Sequence, residues 1–378
     1  MPLYLDDDQI IMRDSARSFM ADQASVAHLR SLRDAADPTG FSTDLWKRFV
    51  EMGFSGILIP EADGGMGLGH VEAGIVLEEI GRNLTPSPFL STGVGVVTAL
   101  GSATPMLRER WYPAILTGRA IGTLAIDEGT KHHPERIALK AERSGKGFRL
   151  SGEKRFVQHG HVADVVIVSA RTGGDVDERS GVTLFAVDGN AAGLTATPQR
   201  LLDASLASRL TLEGVEVEAD AVIGEVDGGW DTLSGILDAC RAAAAAELVG
   251  VADAAMAITL AYIRERRQFG VPVGSFQALQ HRAAHLYSEI EVARAAVLKA
   301  QQRLDAKAPG AGRDVLVAKA MAGLAASLAA REGVQMHGGV GMTDDYDIGL
   351  YMKRGRVLEE LFGDTNRLAD RLAQLNGY

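Results

Sequence analysis

The residues best suited to chemistry fall in two short stretches of the C-terminal half. The first is Glu265-Arg266-Arg267-Gln268-Phe269-Gly270-Val271-Pro272, followed closely by Phe276 and Gln277. Gly270 and Pro272 end the helical pattern that precedes them, so cations, an amide and an aromatic ring collect at an exposed helix C-terminus. Arginine's planar donors match a pyrophosphate, and Gln268 and Gln277 add neutral hydrogen bonds. The second stretch is Gln335-Met336-His337-Gly338-Gly339-Val340-Gly341, whose glycines permit positive φ and close approach of backbone to a ligand. Alone, the first also reads as a solvated interhelical turn and the second as a helix C-cap; together they favour ligand binding. Asp238 and Arg241, one helical turn apart, share a face and either hold one ligand from two points or pair with each other.

Metal chemistry finds less support. His132 and His133 are adjacent on a strand and point to opposite faces. His281 and His285 have i to i+4 spacing but no accompanying cysteine or Glu-x-x-His partner, so no metal site is expected. No phosphate loop, nucleophile elbow or catalytic triad signature occurs.

Three blocks must position these residues. Residues 1–120 carry apolar positions at helical spacing, as in Ile10, Ile11 and Phe19 or Val76, Leu77 and Ile80, punctuated by Pro60, Pro86, Pro88 and Pro113. Residues 121–225 change character: 121–126, 137–141, 148–150, 164–169, 182–187 and 210–212 read as short strands separated by glycine turns. This is the pattern of a β sandwich or barrel, without the βαβ alternation of a doubly wound nucleotide fold. Residues 226–378 return to helical periodicity in long blocks, 230–264, 276–304 and 313–336, which suit an antiparallel bundle. The expected class is α+β, an N-terminal helical domain, a middle β domain and a C-terminal helical bundle.

Composition narrows the function. The chain has 378 residues, and 39 Lys plus Arg against 49 Asp plus Glu give a formal net charge of −10. That argues against a nucleic-acid binder and requires any anionic ligand to be met by a local basic cluster. The single cysteine, Cys240, excludes an intramolecular disulfide and a thiolate zinc site. The acidic run Asp6 to Asp8 after the start is unlike a signal peptide, and a cytoplasmic location is expected. No membrane span is expected either: the most apolar stretch, 242–260, is broken by Glu247 and Asp253 and reads as a buried helix.

The arginine turn followed by the glycine loop, within this succession of blocks, resembles the acyl-CoA dehydrogenase family over nearly the whole chain. The resemblance implies FAD as cofactor, an acyl-CoA thioester as substrate and electron-transferring flavoprotein as electron acceptor. It also implies a dimer or tetramer, with itself or with a paralogous subunit, because family members clasp the FAD of a neighbouring subunit. By position, Arg266 and Gln268 face the pyrophosphate, Phe276 and Gln277 lie near the adenosine half, Gln335, Gly338 and Gly339 add further contacts, and Phe269 is implied as a cofactor contact as well. The family's Thr-Glu-Pro-x-x-Gly-Ser-Asp loop is matched loosely by Asp127 and the six residues after it. Its Gly-x-Lys-x-Trp-Ile-Thr strand is matched by Gly152-Glu153-Lys154-Arg155-Phe156-Val157-Gln158. Asp127, Phe156 and Gln158 are thereby implied as flavin contacts from the β domain, and Asp238 and Arg241 as contacts to the substrate.

One element of the family is missing. Dehydrogenation between the α and β carbons needs a base for the α proton, ideally a carboxylate whose pKa a dry site has raised. Where most members have that glutamate, this chain has Phe362; where others have it, one residue before the arginine, it has Cys240. A thiol is a poor replacement, and packing is the expected role of Cys240. Asp364 is the preferred substitute, ahead of Glu360 and of Glu247, which lies two helical turns from Cys240. Three readings follow: an α,β-dehydrogenase of acyl-CoA with an unusual base, a base-lacking partner subunit of a heteromeric dehydrogenase, or a flavin oxidase or monooxygenase relative acting on a non-CoA substrate.

Overall fold

The structure is a computed structural model in which residues 3–378 are described. In chain order the helices are α1 (Asp7–Gln23), α2 (Val26–Asp34), α3 (Thr43–Glu51), α4 (His70–Asn83), α5 (Val97–Leu100), α6 (Pro105–Leu116), α7 (Gly229–Glu265), α8 (Gln277–Asp305), α9 (Ala311–His337), α10 (Ile348–Glu360) and α11 (Thr365–Leu375). The strands are β1 (Gly122–Ala125), β2 (Lys140–Ser144), β3 (Gly147–Gln158), β4 (Val165–Arg171), β5 (Val182–Asp188), β6 (Leu194–Arg200), β7 (Leu206–Val217), β8 (Val222–Ile223) and the short pair β9 (Arg267–Gln268) and β10 (Val271–Pro272). This is the α+β succession expected: helices, a β region, then a bundle of long helices. The chain forms two compact units, one made of the chain up to Ser31 with His70–Thr85 and Arg241–Tyr378, the other of Leu32–Gly69 and Pro86–Cys240.

The first unit is helical. Its α1 starts with a capping box, in which the Asp6 carboxylate accepts from Gln9 N and the Gln9 amide accepts from Asp6 N. The long helices pack through small residues. In α9 Ala318, Ala322, Ala325, Ala329 and Gly333 recur at three- and four-residue spacing on the buried face, which lets α8 and α10 approach closely. Helices α4 and α7 cross with their backbones in contact: a Cβ on Gly250 would lie 1.9 Å from the Glu78 carbonyl, and one on Gly81 would lie 2.1 Å from that of Glu247. Among the described residues α7 alone is long and apolar enough to cross a membrane, and 72% of its most apolar stretch is buried within the fold.

The second unit is built on an eight-stranded sheet in the order β6-β7-β3-β2-β4-β5-β8, with β1 added alongside β4. Most pairs are antiparallel; β1 runs parallel to β4. Phe148 on β3 and Phe185 on β5 are three strand positions apart, which in a flat sheet means about 14 Å. Their rings meet edge to face at 5.1 Å, so the sheet curls over a shared core that includes Leu150, Val166, Val168, Val187, Leu210 and Leu212. The strand β6 falls outside the segments that the sequence marks as strands. It is a mostly exposed edge with Pro198 inside it, and it therefore lacks the alternating apolar pattern that identifies a half-buried strand.

Candidate active site

The arginine stretch folds as a two-residue hairpin. Val271 pairs with Gln268 and Pro272 with Arg267, leaving Phe269 and Gly270 at the tip with φ of 54° and 82°. Positive φ at both tip residues is the type I′ geometry that matches strand twist. Glycine adopts it freely, whereas a bulky aromatic residue does so at a cost. The Phe269 ring is 91% exposed and meets Phe276 edge-on at 6.3 Å. The Arg266 guanidinium is exposed and has no carboxylate partner among the described residues. Arg267 is turned back onto the Gly270 carbonyl at 3.1 Å, and the Gln268 amide onto the Arg267 carbonyl at 2.8 Å. Gln277, at the first turn of α8, is exposed.

The glycine stretch begins where α9 ends. Gly338 closes the helix with φ 66° and ψ −144°, a conformation open to glycine alone, and the short 3₁₀ segment Gly338–Met342 follows. A Cβ on Gly338, Gly339 or Gly270 would meet nothing within 4 Å, so all three leave open space above the backbone. Gln335 is exposed beside them. The ends of α7 and α9 come together through Tyr262 and His337, whose rings stack at 4.5 Å. Arg266, Gln268, Phe269, Phe276, Gln277, Gln335, Gly338 and Gly339 thus collect at one end of the helical unit. A guanidinium without a carboxylate partner among the described residues, exposed rings, exposed amides and uncovered glycines make a surface suited to an extended anionic ligand with an aromatic group.

A second cluster surrounds the turn between α10 and α11. Phe362 has φ 59°, Gly363 follows at 109°, and the Phe362 ring is buried. Two cations fix this turn. Arg241 donates from Nε to the Phe362 carbonyl at 3.0 Å. Lys319, 1% exposed on α9, donates from Nζ to the carbonyls of Leu358 and Glu359 at 2.9 and 3.1 Å, which caps α10. Burial pushes the Lys319 ammonium down to about 7, against the opposing pull of Glu359. Nothing in the sequence marks Lys319, because a lysine in an alanine-rich helix ordinarily reaches solvent.

Asp364, expected as a base, is the N-cap of α11 and accepts from Arg367 N at 3.0 Å. Glu360 and Glu247 are also engaged: Glu360 pairs with Arg356, and buried Glu247 accepts from Arg354 Nε at 2.8 Å. Cys240 is fully buried, and a Cβ on Gly95 would sit 3.3 Å from its sulfur, a packing position. Asp238 lies on the same helix as Arg241, one turn earlier.

In the β unit the Asp127 loop is internally satisfied. Its carboxylate takes a hydrogen bond from His132 Nδ1 at 2.9 Å and another from His133 N at 3.1 Å. Burial alone would raise its pKa, but the His132 charge and hydrogen bond, the His133 N–H and Lys154 together bring it below the usual range. Neighbouring Glu128 accepts from Ala138 N, Leu139 N and fully buried Lys154. Phe156 lies where the pairing of β3 with β7 shifts register; with φ 53° it is pushed out of the ladder, and its ring is half exposed. The Gln158 carbonyl accepts from the Thr123 hydroxyl, and its side chain is half buried.

Comparison with known proteins agrees along the whole chain. The family models for the N-terminal, middle and C-terminal domains of acyl-CoA dehydrogenase match residues 6–119, 127–215 and 227–375. Acyl-CoA dehydrogenase IpdE2 of Mycobacterium tuberculosis is 31% identical over 97% of this chain and 96% of its own. The Tcur3481–Tcur3483 steroid ACAD G363A variant superposes with a TM-score of 0.89 at 31% identity, covering 98% of both chains. The ChsE4–ChsE5 complex from Mycobacterium tuberculosis superposes with a TM-score of 0.90 at 26% identity, covering 100% of both. With all three domain models matched in order and a relative above 30% identity end to end, the chain belongs to the acyl-CoA dehydrogenase family of oxidoreductases.

Proposed function

We propose that this chain is one subunit of a heteromeric, FAD-dependent acyl-CoA dehydrogenase, holding the cofactor with its bundle while a paralogous chain brings the base that removes the α proton. The observation that carries this reading is the turn after α10. By the resemblance, Phe362 stands where most family members have a glutamate; Asp364, two residues on, caps a helix, and Glu360, two residues before, pairs with Arg356. A base in this reaction must be free to take a proton and gains from a raised pKa. The Asp364 carboxylate is instead already engaged by a backbone N–H as the cap of α11. Buried Glu247, locked to Arg354, is no better placed. Two of the similar structures, Tcur3481–Tcur3483 and ChsE4–ChsE5, carry the names of two chains, which supports the heteromeric reading.

The residues at the end of the helical unit fit FAD. Arg266 binds the pyrophosphate with its fork of donors, Phe269 and Phe276 offer ring faces to the adenine, and Gln268, Gln277 and Gln335 supply hydrogen bonds. Gly338 and Gly339 admit the ligand to the backbone. When bound, FAD accepts the hydride that leaves the substrate β carbon. Asp127, Phe156 and Gln158 are the proposed flavin contacts of the β unit, and Asp238 and Arg241 those of the acyl-CoA. Because Arg241 also grips the Phe362 carbonyl, the same side chain ties substrate binding to the shape of the turn.

The test is to purify the chain alone and with a co-expressed paralog, record the visible spectrum, and add acyl-CoA without oxygen. Oxidised bound flavin absorbs at about 450 nm and loses that band on taking a hydride. The proposal expects bleaching by the pair and none by the lone chain. Bleaching by the lone chain at the rate of the pair would refute it.

A further inference from the structure

Two segments far apart in sequence meet through three rings. Tyr262 lies one turn before Arg266, whose backbone N–H donates to the Tyr262 carbonyl at 2.8 Å. His337 is the last residue of α9, directly before Gly338. Their rings stack with centroids 4.5 Å apart and planes at 22°. Tyr346, from the segment after the glycine loop, sets itself edge-on to both, 5.7 Å from each. Gly333, one turn before His337, makes the approach possible: a Cβ there would lie 3.0 Å from Thr259 Oγ1 on α7 and 2.3 Å from Ile348 Cδ1. His337 is buried, and its Nδ1 donates to the Gly333 carbonyl at 2.7 Å, so the ring is held in plane. Arg30 hydrogen-bonds Asp344 and Asp347, bracketing Tyr346 on both sides.

The geometry has a mechanical meaning. The last turn of a helix lacks half its hydrogen bonds and frays, and each proposed cofactor-binding segment hangs from such an end. Left independent, the hairpin and the glycine loop would drift relative to each other. We infer that Tyr262, His337 and Tyr346 are positioning residues that fix the arginine hairpin and the glycine loop in register for a single dinucleotide, without touching it themselves. The inference rests on the FAD reading above. It assigns the work to the ring of Tyr262, since its hydroxyl makes no hydrogen bond among the described residues.

The experiment compares wild type, Tyr262→Phe and Tyr262→Ala in the assembled protein, stripped of flavin. FAD affinity is read by flavin fluorescence, and hydrogen exchange is followed across residues 266–276 and 338–346 in the flavin-free state. Tyr262→Ala is expected to weaken FAD at least tenfold and to speed exchange in both segments, although only one adjoins the substitution. Tyr262→Phe is expected to stay within twofold of wild type. Should Tyr262→Ala fail to fold, Tyr346→Leu, which alters a partly exposed ring, is expected to weaken FAD several-fold. Wild-type affinity in Tyr262→Ala or Tyr346→Leu, or faster exchange confined to the hairpin, overturns the inference. A wild-type protein that takes no FAD in any assembly instead sinks the cofactor reading, and coupled exchange in the two segments would still be visible.

Discussion

At the scale of single residues, Asp364 and Lys319 hold the turn between α10 and α11 from its two sides. Asparagine caps a helix about as well as aspartate does, so Asp364→Asn should change stability by only a few tenths of a kcal/mol, whereas Asp364→Ala should cost about 1 kcal/mol. Turnover by the assembled enzyme should be unaffected by Asp364→Asn; a hundredfold loss would identify Asp364 as the base after all. Lys319 makes a pH prediction of definite sign. Its folded pKa, about 7, lies below its ordinary value of 10.5. Below pH 7 both folded and unfolded chains carry the proton, and the cost of burying the charge is fully present. Between about 7 and 10.5 the unfolded chain binds a proton that the folded one has released, so the contribution of Lys319 to stability rises with pH. Urea unfolding at pH 6.5 and 9 should show wild type gaining about 1–3 kcal/mol relative to Lys319→Met across that interval. Parallel behaviour of the two proteins would contradict a lysine buried in this way. The engagement of Glu247 by Arg354 was beyond the sequence: the partners are on different helices, 107 residues apart, and no local pattern joins them.

At the scale of elements, the helix crossings depend on missing side chains. Gly250→Ala would drive a methyl group into the Glu78 carbonyl, and relieving the overlap means separating α4 from α7. A loss of about 2 kcal/mol or more is expected in denaturant unfolding. Gly235, on the same helix, has nothing within 4 Å of its would-be Cβ. There alanine should be neutral or stabilising by up to about 1 kcal/mol, through helix propensity alone. Equal effects at the two positions would remove the close crossing from the account. Elements with a strong period were legible from sequence: α7, α8 and α9 begin and end within one or two residues of the predicted 230–264, 276–304 and 313–336. Elements without one were not. The edge strand β6 is polar and carries Pro198, and β9 and β10 are two residues each, too short to show any alternation.

At the scale of the whole molecule, the sequence pointed to the gathering of the arginine and glycine stretches, and the helical unit brings their residues to one end. What holds them there was illegible, because a tyrosine four residues before the arginine and a histidine before the glycines look like ordinary helix residues until the two helices meet. Phe269 is almost wholly exposed at a strained hairpin tip. In the proposed assembly it covers the cofactor, so Phe269→Ser should leave the unfolding of the isolated chain unchanged and weaken FAD in the assembled protein about tenfold, measured by flavin fluorescence. The central claim is narrower still: this chain has no base of its own for the α proton. Deuterium exchange at the α carbon of an acyl-CoA in D₂O tests it directly, since exchange requires the base and no hydride transfer. The chain alone should exchange no faster than buffer, and the reconstituted pair should exchange readily. Exchange by the lone chain, abolished in Asp364→Asn, would contradict the account.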